Sequence, residues 1–275
     1  MRKVLPIIVI AAALAAGSYL GLLRARREVL PAVPVLVADF LPAEFGNAIV
    51  FQTPEKRFLV ADPGPESTAD ALVSYLRRLG AKSLDVMVTN PIGKHTGAIE
   101  SLTDGFEIRR IIHGSNTWQA VTTRPRRPVA EVVLKAGDRI RLSPRVKLEA
   151  LSPPREPEGA TERPLVTRIS FGRTRFLLAS DALLEDEAWM IRSGVDLRST
   201  VLVVARHGRY GSTSLEFLSF VRPEYCVVMV GRGADRPSRT VLERISTENT
   251  GAEVYRTDVH GAVQMISDGR TIRIR

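Results

Sequence analysis

A short segment in the first half of the chain carries most of the residues that could perform chemistry. The apolar run 84–88 leads into Thr89, and the residues that follow include His95, one of only four histidines among 275 residues. The run 84–88 is typical of a buried strand, and a helix is expected to begin after the turn, near His95. The lone Cys226 excludes a disulfide scaffold and a zinc cluster built on cysteine. No glycine-rich phosphate loop, nucleophile elbow or Ser-His-Asp order is present.

The elements that must position this segment follow an α/β pattern. Helices are expected near 66–79, 95–102, 183–192, 213–220 and 238–247. Strands are expected near 34–40, 48–52, 57–61, 84–88, 109–112, 139–142, 146–151, 166–171, 174–179, 200–204, 225–230, 253–256, 262–266 and 271–274. Two strand-rich stretches, each followed by alternating helix and strand, predict two sheets with helices outside.

The segment 89–98 resembles the metal-binding loop of the metallo-β-lactamase fold, where a strand ends in T-H-x-H-x-D-H-x-G-G. Residues 58–64, with Asp62, are similar to the family's L-I-D-x-G strand and turn, and residues 175–181 to its strand ending in aspartate. The resemblance covers about residues 35–275 and is strongest for the C-terminal domain of ComEC-type DNA-internalisation competence proteins. It implies an α/β, αββα sandwich in which two mixed β-sheets lie between outer helices.

The resemblance also implies a ligand set, which this sequence only partly keeps. In the first loop, Asn90 stands at the first histidine, Ile92 at the second and Lys94 at the aspartate, and only His95 is retained. An amide is a poor zinc ligand, isoleucine has no lone pair, and an ammonium group repels a cation. Three of the four ligands of this loop are therefore replaced.

Two ligand positions later in the chain are retained. Asp181 stands at the bridging aspartate, and His207 remains from the family's H-H-G-S motif, in which Arg206 replaces the other histidine. Two interpretations follow. The site has lost its metal, no cofactor is bound, and the Lys94 ammonium pairs with Asp181 in its place. Alternatively, His95, Asp181 and His207 hold one zinc or manganese ion, as a three-ligand site permits.

The basic residues of the chain are mostly arginine. Arginine makes up 33 of the 39 basic residues, against 30 acidic ones, which gives a net charge of +9. Arg206, Arg209, Arg232 and Arg236 fall in loops that the resembled fold would place near its active-site rim. Such guanidinium groups can hold an anionic ligand bidentately, although a general preference for arginine codons explains the same composition.

The N-terminus has the composition of a membrane anchor. Residues 4–23 are an uncharged, mostly apolar run between basic flanks, about 30 Å long as a helix. A cleavable signal peptide is the alternative, because Ala13-Leu14-Ala15 matches an A-x-A cleavage site. We therefore divide the chain into an anchor or signal sequence with linker, residues 1–30, and a metallo-β-lactamase-like domain, residues 31–275.

These observations predict a membrane-tethered domain that acts as a non-catalytic binding or scaffold module. The alternative is a metal-dependent hydrolase, a phosphodiesterase or nuclease, with a reduced mononuclear site. The expected partners are the membrane, through the N-terminal helix, and an anionic ligand or nucleic acid. The globular domain is expected outside the cytoplasm, or secreted if the N-terminal segment is cleaved. His113 and His260 are expected in a loop and a hairpin turn rather than as ligands.

Overall fold

The structure is a computed structural model that describes residues 33–42, 48–90, 93–114, 128–155, 163–230, 237–246 and 250–275. Residues Val35–Arg275 form a compact unit of their own. No helix among the described residues is long and apolar enough to cross a membrane. The run 4–23 lies outside the described residues, so the membrane anchor stays a prediction.

Fifteen strands of the described residues form two mixed sheets, as the sequence predicts. The strands are β1 Leu36–Phe40, β2 Ile49–Gln52, β3 Phe58–Ala61, β4 Ser83–Val88, β5 Glu107–Gly114, β6 Glu131–Leu134, β7 Arg139–Arg141, β8 Val146–Ser152, β9 Val166–Phe171, β10 Thr174–Leu178, β11 Val201–Val203, β12 Tyr225–Val228, β13 Glu253–Arg256, β14 Val263–Ser267 and β15 Ile272–Ile274. The first sheet has the order β15-β14-β1-β2-β3-β4-β5-β6, and the second has the order β13-β12-β11-β10-β9-β8-β7. In the first, β3 to β6 are parallel; in the second, β10 to β13 are parallel.

The helices of the described residues connect these strands. They are α1 Ala69–Arg78, α2 Gly93–Thr96, α3 Ile99–Gly105, α4 Leu184–Arg192, α5 Leu215–Val221, α6 Arg239–Ile245 and α7 Thr257–His260. The amphipathic α1 buries Leu72, Val73 and Leu76 against the first sheet, and α4 to α6 cover the second sheet.

The core between the sheets follows from the two-residue period of the strands. In β3, Leu59 and Ala61 face the other sheet, whereas Phe58 and Val60 face the helices. Across the middle of this core, the rings of Phe51 and Phe176 meet edge to face with centroids 5.7 Å apart. Both faces of each sheet are thus covered, which gives the helix, sheet, sheet, helix layering that the sequence predicts.

Three local predictions are wrong. The helix expected at 95–102 is two helices, α2 and α3, which end and begin on either side of Gly97. His113 lies inside β5 and is 3% exposed, not in a loop. His260 ends the single helical turn α7 instead of standing in a hairpin turn.

Candidate metal centre

The structure brings together three side chains that the sequence singles out as residual ligands. One donor atom from each of His95, Asp181 and His207 lies within 4.8 Å of the other two. Nε2 of His95 is 3.6 Å from Oδ2 of Asp181, and the rings of His95 and His207 stack with centroids 6.3 Å apart. Tetrahedral ligands at about 2.0–2.1 Å from zinc lie about 3.3 Å from each other. The cluster therefore matches a mononuclear site after a small inward movement of the side chains.

His95 is held in place by the backbone around it. It lies in the short helix α2 after β4, where its carbonyl oxygen accepts a hydrogen bond of 3.3 Å from the Gly64 amide. The Ala98 amide donates to the Gly64 carbonyl at 3.0 Å. Gly97 makes this approach feasible, because a Cβ atom there would collide with the backbone of Pro65 and Glu66. The small residue thus fixes His95 against the turn that carries Asp62.

Asp62 lies behind His95 and orients it. Oδ2 of Asp62 is 3.5 Å from Nδ1 of His95, on the side of the ring away from Asp181. The Asp62 carboxylate also accepts hydrogen bonds from the backbone amide, at 2.8 Å, and from the hydroxyl of Thr89. The Ser180 hydroxyl donates to that of Thr89 at 2.6 Å. This chain of hydrogen bonds links the loop of Asp62 to the loop of Asp181, and a carboxylate behind a metal-binding histidine is a common arrangement.

His207 is held in an unusual backbone conformation. Arg206 has φ 52° and ψ 36°, and His207 has φ 56° and ψ 25°, so two consecutive residues other than glycine are left-handed. Gly208, with φ 76°, continues this conformation. Nδ1 of His207 forms a 2.9 Å hydrogen bond with the carbonyl oxygen of Met229, which leaves Nε2 to face the cluster. Left-handed residues of this kind cost energy and concentrate at functional sites.

The donor set fits a metal ion on its own chemistry. Nε2 of His95 is buried and has no hydrogen-bond partner among the described residues. Burial by itself would lower the pKa of His95, but the neighbouring charges of Asp62 and Asp181 raise it to about 9. A buried imidazole nitrogen that faces a carboxylate oxygen without a hydrogen bond can serve as a metal ligand.

Of the three replaced ligand positions in the first loop, only Asn90 has a side chain that the structure describes. Nδ2 of Asn90 donates a hydrogen bond to Oδ2 of Asp181, the same oxygen that faces His95. Asn90 therefore contacts the cluster without being a good ligand itself. Ile92 and the side chain of Lys94 lie outside the described residues, so the pairing of Lys94 with Asp181 stays a prediction.

Two of the four arginines singled out from the sequence lie beside the cluster. A cavity of about 230 Å³ is lined by Asp181, Leu183, Arg206, His207 and Arg209. The Arg206 guanidinium also donates to the carbonyl oxygen of Tyr210 at 3.2 Å. Arg232 and Arg236 lie outside the described residues.

The sequence alone did not single out Thr89, Ser180 or the Met229 carbonyl as parts of the site. Thr89 precedes the motif position of Asn90, which was the one available signal for it. The other two histidines lie outside the cluster: Nδ1 of His113 is 2.9 Å from the Gly114 carbonyl, and Nδ1 of His260 is 3.0 Å from the Arg256 carbonyl.

Comparisons with known proteins agree with this fold. No protein-family model matches the chain. The chain is 24% identical over 203 residues to ComE operon protein 3 of Bacillus subtilis, a match that covers 70% of this chain and 26% of that protein. It is 33% identical over 102 residues to competence protein ComA of Neisseria gonorrhoeae, covering 36% of this chain and 14% of the relative. The chain thus spans about a quarter or less of the length of these relatives.

Solved structures give the fold independently. The metallo-β-lactamase fold protein YhfI from Bacillus subtilis aligns with a TM-score of 0.54 at 12% identity, covering 82% of this chain and 96% of that one. The described domain is therefore a metallo-β-lactamase-fold domain. Its sequence is similar to parts of these two competence proteins.

Proposed function

We propose that this domain is a hydrolase of anionic esters that uses one divalent metal ion held by His95, Asp181 and His207. The observation that carries the proposal is the convergence of these three side chains, with the buried Nε2 of His95 lacking a hydrogen bond to any described residue. This reverses the preference that the sequence alone suggests. Three replaced ligands in one loop argue for a lost site, whereas the convergence of the three retained side chains supports a site for one ion.

Each residue of the site would have a separate role in binding and orienting the metal ligands. Asp62 and the Met229 carbonyl oxygen orient His95 and His207 through Nδ1, so that both rings present Nε2 to the same point. Asp181 supplies the negative charge of the ligand set. A zinc or manganese ion bound there would polarise an ester oxygen and lower the pKa of a bound water. Three protein ligands leave a position open for such a molecule.

The substrate class is inferred from the neighbouring cavity. Arg206 and Arg209 border the same space as Asp181 and His207, so an anion there would meet two guanidinium groups beside the metal position. Guanidinium groups bind phosphate through paired hydrogen bonds. Together with the resemblance to DNA-internalisation competence proteins, this favours a phosphodiester, and nucleic acid as the partner.

A second candidate is a non-catalytic binding or scaffold module, and one contact favours it. Asn90 donates to the Asp181 oxygen that faces His95, so an amide dipole and a protonated His95 can satisfy that carboxylate without metal. In this state the cavity would still bind an anion through Arg206 and Arg209. The two candidates differ in whether metal is bound, not in the fold.

Metal analysis of the purified full-length chain separates the two candidates. After incubation with zinc or manganese and buffer exchange, we expect close to one ion per chain, measured by inductively coupled plasma mass spectrometry. His95→Ala, Asp181→Ala and His207→Ala should each lose the ion, whereas His260→Ala, a histidine outside the cluster, should keep it. Bound metal together with hydrolysis of a chromogenic phosphodiester supports the hydrolase, and bound metal without hydrolysis contradicts it. Absence of metal in the wild type contradicts the metal site.

We also propose that the domain is tethered to a membrane by residues 4–23 and works outside the cytoplasm. The support is the apolar run itself, which is long enough to span a bilayer. Extraction of membranes with alkaline carbonate tests the tether, and protease accessibility in intact and opened cells tests the side. Release of the chain by carbonate would contradict the anchor, and a shortened, secreted form would indicate a cleaved signal peptide.

A further inference from the structure

The end of the domain opposite the metal cluster carries a cluster of arginines. Arg173, Arg175, Arg198 and Arg222 line a cavity of about 470 Å³ there, together with the carboxylate of Glu224. Arg175 pairs with Asp196 at 2.6 Å. The side chains of Arg173 and Arg198 are exposed, and neither has an ion pair with a described carboxylate. We call these four arginines the arginine face.

Strand direction separates the arginine face from the metal cluster. Arg173 precedes β10, and Asp181 follows its other end. Arg198 precedes β11, which is parallel to β10, and His207 follows it. At about 3.3 Å per residue, the stretch from Thr174 to Asp181 spans roughly 20 Å. The two features therefore lie at opposite ends of the same strands.

The chain enters the domain at the arginine end. Leu36, the first residue of β1, pairs with Ser267, and the Ser267 hydroxyl lies 2.6 Å from that of Thr174. The Arg173 amide donates to the Gly269 carbonyl at 2.6 Å. Ser267 and Gly269 thus connect the start of β1 to the turn that carries Arg173.

An exposed aromatic side chain lies near the arginine face. Phe220, near the end of α5, is 47% exposed. It lines a neighbouring cavity of about 570 Å³ together with Arg198 and Arg222. An exposed aromatic ring among arginines matches the interface of a bilayer, where rings sit at the headgroup level and guanidinium groups meet lipid phosphates.

We propose that the arginine face docks on the headgroups of an anionic membrane, with the metal cluster turned away from the bilayer. The inference rests on the proposed anchor, which keeps the domain near the surface. Residues 24–34 could extend to at most about 36–40 Å at about 3.3–3.6 Å per residue. A tether of that length does not fix orientation by itself, so the charge of the arginine face must do so.

The charge of the arginine face also sets the size of the expected effect. A basic side chain near an anionic surface contributes about 1 kcal/mol, and 1.4 kcal/mol is a factor of ten in an equilibrium constant. Removing the two exposed, unpaired guanidinium groups with Arg173→Gln and Arg198→Gln should therefore shift the equilibrium between docked and undocked domain by about 30-fold.

The test uses the full-length chain reconstituted in vesicles, with Cys226→Ala removing the native thiol. A donor dye is placed on Ser219→Cys, beside the arginine face, or on Val259→Cys in α7, at the other end, and an acceptor on the lipid headgroups. We expect stronger energy transfer from position 219 than from 259 in vesicles with 30% phosphatidylserine. This difference should disappear in phosphatidylcholine alone and in the Arg173→Gln, Arg198→Gln variant.

A matched control carries the same change of charge at the other end of the domain. Arg155 and Arg239 are 60% and 92% exposed at the side chain, and Arg155→Gln with Arg239→Gln should leave the energy transfer unchanged. Equal transfer from both positions, or equal transfer in neutral and anionic vesicles, would overturn the proposal. The proposal would also be overturned if single-stranded DNA abolished docking and DNA binding required Arg173 and Arg198. That result would assign the arginine face to nucleic acid.

The experiments distinguish a wrong assignment of the membrane anchor from a wrong assignment of the arginine face. If carbonate releases the chain, the anchor is wrong, and sedimentation of the released chain with anionic vesicles then measures the face alone. If Arg173→Gln with Arg198→Gln abolishes this sedimentation, the result supports docking by the arginine face. If the double variant still sediments with the vesicles, the proposal is overturned.

Discussion

Nε2 of His95 lies 3.6 Å from Oδ2 of Asp181, although the two residues follow strands of different sheets. On the other side of the same ring, Nδ1 faces Asp62 at 3.5 Å. The imidazole therefore stands between two carboxylates. This arrangement serves two states equally well, an imidazolium ion without metal and a neutral ligand with it.

In the metal-free chain, His95 should make stability depend on pH. Its folded pKa of about 9 lies above its ordinary value, because the neighbouring carboxylates outweigh the opposing effect of burial. The charged ring thus stabilises the fold fully below about pH 6.5, and this contribution is lost as the pH rises through about 9. Denaturant unfolding of the chain in a chelator between pH 6 and 9.5 measures it. His95→Gln should lack this decline, and identical slopes for the two proteins would contradict the prediction.

Asp62→Asn should weaken metal binding without removing a ligand. An amide at this position holds the His95 ring less firmly and makes its Nε2 less basic, and such changes typically cost 10- to 100-fold in affinity. Competition with a coloured chelator gives the dissociation constant. Asp70→Asn, an exposed aspartate in the first turn of α1, is the control that should keep wild-type affinity. Equal affinity of Asp62→Asn and the wild type would mean that Asp62 only holds the turn.

Gly208→Ala should damage both stability and the site. Gly208 has φ 76°, and a Cβ atom there would lie 2.9 Å from Cβ of Pro237 and 3.1 Å from Cγ1 of Val228. Gly251→Ala is the control, because its φ of 59° brings the same backbone strain while nothing lies within 4 Å of the added atom. We expect about 1 kcal/mol of destabilisation at Gly251 and about 2–4 kcal/mol at Gly208, with metal affinity reduced only at Gly208. Equal losses for both variants would show that packing around Gly208 is not tight.

The elements of the fold could be predicted because their strands are buried and follow a simple pattern. β3 and β4, which are apolar and bounded by turn residues, were predicted to within a residue or so. β6 was not predicted, although Val132, Val133 and Leu134 are apolar, because the strand has only four residues and lies half-exposed at the edge of the sheet. The single turn α7 was missed because four residues are too few to show helical periodicity.

The candidate site could also be predicted only in part. His95, Asp181 and His207 could be singled out by resemblance, because each follows a strand in a recognisable motif. Their convergence and the links from Asp62 to Thr89 to Ser180 could not, since they depend on how two sheets face each other. The left-handed backbone at Arg206 and His207 has no sequence signal either, apart from the glycine that follows it.

Cys226 should be unreactive in the folded chain. Its side chain is fully buried in β12, and burial raises the pKa of the thiol to about 12. The thiolate, which is the reactive form, is therefore nearly absent at neutral pH. An aromatic disulfide reagent should react with no thiol in native protein and with one per chain in guanidinium chloride. Rapid reaction of the native protein would mean that this strand opens.

Arg206 and Arg209 should carry the electrostatic part of anion binding at the metal centre. Both line the cavity beside Asp181 and His207, so their replacement removes two charges that a phosphate backbone would meet. With a labelled single-stranded oligonucleotide, Arg206→Gln with Arg209→Gln should weaken binding and reduce the slope of log K against log salt by about 1.4, since each phosphate contact contributes about 0.7. Arg173→Gln with Arg198→Gln carries the same change of net charge at the opposite end of the domain and should keep the wild-type slope. If both double variants lower the affinity equally, the overall charge of the chain, and not this cavity, attracts the oligonucleotide.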